Sequence, residues 1–339
     1  MKYIDVTKDY WNRGMAADFT INGSLYCMSG DMSYLSVGAT VAMVFNKTVC
    51  VEIGEEYPYE LVLDGEWTFE KFEQMVKKAT QGTGTELDPA NGDLMGYMTT
   101  QFRGPITVLY SGGGSIVTLN DDRTELELSL YNSRNEEIFE SYFNLLDMPN
   151  CKNMGSYGQN VGKIFAEGNI LFFDTRLHDV GDLVKAGMDD YGILPWPKYD
   201  EDVDGYYSWC DAWANTFGIP KVFNEADNEF ISVVLESMCA EGYRNVMPVY
   251  YEDVLQAQYA DAAGVQMIDM LRAGRRYDIA SYMMCTSEAG NIGNAGYVLI
   301  SYPDHAFASW WESIESKAKT ETARLNAIFA MVSDLEQYA

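Results

Sequence analysis

Two uninterrupted apolar runs, "TVAMVF" at 40–45 and "ILFF" at 170–173, constrain the fold most, because each reads as a buried strand next to helix-patterned sequence. Over "WTFEKFEQMVKKA" the pattern predicts a helix. Thr68 supplies the N-cap, Glu70 sits in the first turn, and Phe69, Phe72, Val76 and Ala79 form an apolar stripe. Lys77 and Lys78 complement the helix dipole at its end. "NEEIFESYFNLLDMPN" predicts a second helix that stops before Pro149. "GKIFAEGNILFFDTRLHDVGDLV" predicts a helix end, a glycine turn, the 170–173 strand, and a helix capped by Asp174 or Thr175. Further helices are expected near 225–241, 251–273 and 304–336, with loops at 81–96 and 286–297. Strands alternating with helices make this an α/β protein. No repeat period suggests a solenoid.

At 339 residues the chain can bury a large core, as two domains or one split domain. Its 47% hydrophobic and 22% charged content is that of a globular protein. The net charge of −28 repels phosphate backbones, so nucleic acid is not an expected partner. No segment approaches the roughly 18 apolar residues of a membrane helix. The start, "MKYIDVTKDYWNRGM", lacks a signal-peptide core, which a chain read from within a longer protein would also lack. The cysteines at 27, 50, 151, 210, 239 and 285 form no C-x-x-C pair, so they read as mostly buried thiols.

The familiar catalytic signatures are missing. No H-E-x-x-H, G-x-S-x-G or P-loop motif occurs. His178 lies four residues after Asp174, a spacing that predicts a helical contact between them. "SGGGS" at 111–115 lacks the lysine of a phosphate loop and reads as a tight turn or close helix packing. Counted as a calcium loop from Asp88, "DPANGD" puts Ala90 and Gly92 at ligand positions, so the pattern fails. No metal or cofactor is expected.

Aromatic residues and acids crowd "YGILPWPKYDEDVDGYYSWCDAWANTFGIPK" at 191–221. Written as a strand, "SWCDAWANTF" puts Trp209, Asp211 and Trp213 on one face and Cys210, Ala212 and Ala214 on the other. Indole, carboxylate and indole suit a sugar, whose C–H faces stack on rings while its hydroxyls meet polar groups. A half-buried strand whose tryptophans only pack is the alternative. In "FFDTRLHDV", Asp174, Thr175 and Arg176 emerge at a strand's carboxyl end, where open α/β sheets bind ligands. Simple capping by Asp174 with a surface Arg176 is the alternative there.

The order of "GSLYCMSGDMS…AMVFNKTV", "PYELVLDGEWTFEKFEQMVKKAT", "IFAEGNILFFDTRLHDV", "YGILPWPKYDEDVDGYY", "WANTFGIPK" and "RRYDIASYM" resembles the extracellular solute-binding proteins of ABC transporters. Within these it resembles the family-one carbohydrate binders related to maltose-binding protein. The resemblance implies a type II periplasmic-binding-protein-like fold, two lobes joined by a hinge. Residues 40–213 and 261–339 would form the second lobe, and 1–39 with 214–260 the remnant of an incomplete first lobe. Crossing strands near 25–45 and 206–220 would be the hinge. The leading strand–helix repeats, signal peptide and lipid-anchored cysteine of the family are absent from the sequence, which therefore looks N-terminally truncated. Carried across to this chain, the cleft residues would be Asp31, Tyr34, Gln101, Arg103, Asp174, Arg176, Trp209, Asp211, Trp213 and Trp310.

The function so implied is a non-catalytic, monomeric receptor at the cell surface or in the periplasm. It would bind an oligosaccharide and deliver it to the permease subunits of an ABC transporter. A carbohydrate-active hydrolase using Asp174 and Asp211 is the contrasting reading, which needs one acid of raised pKa and a defined separation. A same-fold binder of a peptide or another small solute is a third.

Overall fold

The computed structural model describes residues 3–80, 87–155, 161–188, 190–220, 224–251 and 262–337. Its centre is a five-stranded sheet built from β1 (Val41–Asn46), β2 (Met95–Thr99), β3 (Cys151–Asn153), β4 (Ile170–Arg176) and β5 (Tyr191–Leu194). The spatial order is β3-β2-β4-β1-β5. β2 runs parallel to both β3 and β4, whereas β1 is antiparallel to both β4 and β5. β1 therefore begins at the edge where β2, β4 and β5 end.

Every residue of β1, β2, β4 and β5 is buried, because helices cover both faces. This is why the strands read as continuous apolar runs instead of alternating ones. On one face Phe45, Phe172 and Tyr97 pack with Trp67, Phe72, Tyr142 and Trp196. On the other, Val44, Phe173, Met98 and Ile193 pack with Leu177, Val180, Ile268 and Leu271. Fully burying a side chain of this kind contributes about 1.5–3 kcal/mol, so these layers dominate stability.

The Phe69–Lys78 helix starts as its sequence predicts, with the Thr68 hydroxyl accepting from the Lys71 amide at 3.3 Å. Ser133–Leu146 begins at an Asn132 cap and ends before Pro149. The Glu225–Glu241 helix and the 31-residue Phe307–Gln337 helix also match their expected places. Of the helix expected at 251–273, Ala262–Ala273 is observed, and 252–261 lie outside the described residues. So does 81–86 of the expected loop.

"SGGGS" ends the buried Gly104–Ser111 helix. Gly113 has φ of +80°, and a Cβ on Gly114 would lie 2.5 Å from Asn135 Oδ1, so the segment is a tight turn under close packing.

A small third cluster, Trp11, Met28 and Cys239 with Ile4, Tyr10, Phe217 and Leu235, stands apart from the sheet. Single bridges pair Met28 with Phe217 inside this cluster and Thr40 with Cys210 on the sheet side, so the segments 28–40 and 210–217 both run from one region to the other. Ser208–Trp209 runs parallel to Arg275–Arg276 beside them. All six cysteines are free thiols, four of them buried. Among the described residues no helix is long and apolar enough to cross a membrane.

Candidate ligand-binding site

Asp174, Thr175 and Arg176 are the last residues of β4, not the cap of a helix. Pairing with β1 continues to the Val41–Arg176 partners and keeps them extended. The chain turns only at Leu177–Asp179, and the next helix is Val180–Lys185. This register points Asp174 into the protein. Its Oδ2 accepts from Tyr97 Oη at 2.9 Å and Thr99 Oγ1 at 2.7 Å, and the residue has no exposed surface. Burial pushes its pKa up to about 7, against the opposing pull of the Thr99 hydrogen bond and Arg103. Gly104 closes over it, where a Cβ would lie 2.6 Å from Asp174 Oδ2. The expected helical contact with His178 does not form, since Asp174 belongs to the strand.

Arg176, two residues on, takes part in a charged cluster at the sheet edge. Asp179 Oδ2 accepts from Arg103 Nη2 at 2.8 Å and from Arg176 Nε at 2.8 Å. Asp179 Oδ1 accepts from Arg176 Nη2 at 3.3 Å and lies 3.3 Å from His178 Nε2. Arg176 Nη1 is 3.5 Å from Asp211 Oδ2. Above it, the guanidinium carbon lies 4.9 Å from the Trp213 ring centroid, and that indole is 62% exposed. Two guanidiniums and two carboxylates thus offset one another beneath an open ring. Burial raises the pKa of Asp211 and lowers that of His178.

Beside the cluster opens a groove of about 510 Å3 lined by Tyr34, His178, Asn245, Val246, Val249 and Tyr250. The Tyr34 and Tyr250 rings stand 5.1 Å apart at 44°. Gly38 packs against two of the lining residues, where a Cβ would come within 2.9 Å of Tyr250 Oη and 3.1 Å of His178 Cβ. Aromatic walls beside paired charges make a surface that can stack on one part of a ligand and hydrogen-bond another.

Of the ten residues expected in a cleft, Tyr34, Arg103, Arg176, Asp211 and Trp213 come together here, with Asp174 sealed beneath. Gln101 is half-buried on the loop before Arg103, its amide donating to the Gly155 carbonyl at 3.3 Å. Asp31 is buried, accepting from Ser36 Oγ at 3.2 Å and pairing with Arg272 at 3.2 Å. Trp209 and Trp310 are corrections. Both belong to the main core, 4% and 2% exposed, and Trp310 packs on Phe307 at 6.1 Å. The strand expected through 208–217 ends at Trp209, because Asp211 Oδ1 accepts from the Trp213 amide at 3.1 Å and turns the chain. Trp209 and Trp213 therefore do not share a face.

Sequence reading missed Asp179, His178 as a groove wall, and Tyr250. Arg176 and Asp179 are three residues apart in "RLHD", a spacing that flags the pair. Nothing local links Asp179 to Arg103, 76 positions away, or points to Tyr250.

An α/β sheet covered by helices on both faces, joined to a second cluster by the segments 28–40 and 210–217, is a type II periplasmic-binding-protein-like fold. The chain belongs to the bacterial extracellular solute-binding protein family, whose model matches residues 1–237. Among solved structures it is similar to the sugar-binding protein MalE from Xanthomonas citri, with TM-score 0.63 and 13% identity over 97% of this chain and 78% of that one. It is also similar to the maltotriose-binding protein of Thermus thermophilus bound with maltotriose, with TM-score 0.55 and 15% identity over 94% and 78%. An ABC substrate-binding protein from Listeria monocytogenes in complex with cycloalternan aligns with TM-score 0.54 and 16% identity over 93% and 79%. No curated protein matches the chain.

Proposed function

We propose that the protein binds an oligosaccharide in the groove beside Arg176 and hands it to the permease subunits of an ABC transporter, without chemical change, as an extracellular monomer. The observation that carries this reading is the exposed Trp213 ring over a charge-paired Arg176, next to the Tyr34–Tyr250 walls. A sugar can stack on the rings and exchange hydrogen bonds with Asp179, Asp211 and the two arginines without any net charge of its own. Residues 40–213 and 261–339 form one lobe in this proposal, and 1–39 with 214–260 the other. The hinge runs through the 28–217 and 40–210 bridges and the 208–209 and 275–276 pairing. Closure about it would bury the ligand. The cycloalternan and maltotriose held by two of the structural relatives support the substrate class.

The hydrolase reading is not favoured, because Asp174 is fully buried and held by Tyr97 and Thr99, so it cannot reach a glycosidic bond beside Asp211. Calorimetric titration with maltotriose, cycloalternan and a short peptide library, followed by chromatography of the recovered ligand, tests the proposal. Saturable glycan binding with intact ligand is expected. Peptide binding alone, or glycan cleavage, would replace it.

A further inference from the structure

A second cavity, of about 260 Å3, lies at the other end of the Gly104–Ser111 helix from the Arg103 cluster, about 12 Å away at helical rise. The Gly113–Gly114–Ser115 turn, the end of the Arg13–Asp18 helix, side chains between Val117 and Leu126, and residues 276–279 enclose it. Four charged side chains face this space, and they differ in how they are engaged. Asp278 is satisfied by the backbone, accepting from the Ile116 amide at 2.6 Å and the Ala280 amide at 2.9 Å. The Arg123 guanidinium is anchored on the Ala17 and Thr20 carbonyls. The Arg276 guanidinium carbon lies over the Tyr207 ring, 3.7 Å from its centroid.

Asp18 is different. It is half-buried, and among the described residues its carboxylate makes no hydrogen bond or ion pair. Arg276 and Arg123 act on its carboxylate only from beyond contact distance. Opposite charges are therefore held apart across a space wide enough for a small molecule. A partly desolvated carboxylate is normally stabilised by pairing with a nearby guanidinium. Here Tyr207 and the 17–20 backbone hold both arginines back.

We propose that this cavity binds a small apolar α-amino acid. Its ammonium would meet Asp18, its carboxylate would lie between Arg123 and Arg276, and its side chain would rest on Val117, Leu119 and Leu126. The charge layout selects a zwitterion. A dianion such as phosphate meets Asp18, a simple cation meets two guanidiniums, and an uncharged ligand leaves both unmatched. This inference does not depend on the glycan reading, since the helix separates the two sites. Occupancy would tie Asp18, which precedes the first crossing, to Arg276 on the 275–276 strand.

The test is calorimetric titration of the full chain with L-valine and with its two halves, isovalerate and isobutylamine. One L-valine per chain is expected, with each half at least about tenfold weaker. Asp18→Asn should weaken L-valine about tenfold or more while leaving isovalerate unchanged or tighter. Arg276→Gln should weaken both carboxylates. The Asp18 carboxylate supports no hydrogen bond, so its variant should keep the parent circular dichroism. Arg276→Gln gives an independent reading if it does not. No saturable L-valine binding, or equal binding by both variants, overturns the proposal. Loss of L-valine binding in Trp213→Ala would also overturn it, by moving the ligand to the groove.

Discussion

Arg176 lies beneath the Trp213 indole, 4.9 Å from the ring centroid, so a 62% exposed ring is held in place by a buried cation. The ring is open to solvent on the face away from the guanidinium. Trp213→Ala should weaken glycan binding about tenfold or more, as loss of an aromatic anchor does, with melting temperature unchanged. Trp209→Ala should do the reverse and cost about 3 kcal/mol or more of stability, because that ring is in the core. Equal effects of the two on affinity in calorimetry would sink this assignment.

Asp179 joins Arg103, Arg176 and His178 through its two oxygens. Asp179→Asn leaves two buried guanidiniums short of their shared carboxylate and should cost about 3 kcal/mol in urea denaturation. Glycan affinity should fall with it, since Arg176 loses its orientation. Unchanged stability would mean that the arginines rely on other partners.

Tyr34 is 42% exposed, so its removal tests the groove with little effect on the core. Tyr34→Ala should lower glycan affinity severalfold and leave the denaturation midpoint within experimental error. A drop in stability without a change in affinity would assign the ring to packing on Tyr250.

Asp174 gives the fold a pH dependence of definite sign. Its pKa is raised by burial from 3.8 to about 7, so between these values the folded state binds more protons than the unfolded state. Stability linked to this group is present below pH 3.8 and is lost as pH rises through about 7. Asp18 and Asp278, each raised to about 6 by burial, act in the same direction. Asp174→Asn should flatten the difference profile between pH 4 and 7, by up to about 1.4 kcal/mol per pH unit. Parallel profiles for variant and parent would show that Asp174 is ionised throughout.

What the sequence disclosed follows the range of the forces involved. Thr68 and its apolar stripe, and the buried run at 170–173, are local patterns, and both elements form where the pattern puts them. The end of β4 was misread because Asp174 has the composition of a cap, while the ladder to β1 holds it in the strand. Trp209 and Trp213 were misread because one side chain–backbone hydrogen bond at Asp211 overrode the alternation. Arg103 was named, but the acid that binds it could not be inferred from residues so distant in the chain. Tyr250 lay beyond local inference for the same reason.

β1 starts where its neighbours stop, and this gives the site a mechanical property. The Leu177 amide donates to the Thr40 carbonyl at 2.9 Å, and the Asp211 amide donates to the Ala39 carbonyl at 3.0 Å. The peptide groups just before β1 are thus fastened to the segment after Arg176 on one side and to Asp211 on the other. A pull on the chain arriving from Met28 is transmitted to both sides of the Arg176 cluster within one residue. In the proposed receptor, such a pull would shift the walls of the groove without requiring the sheet itself to deform.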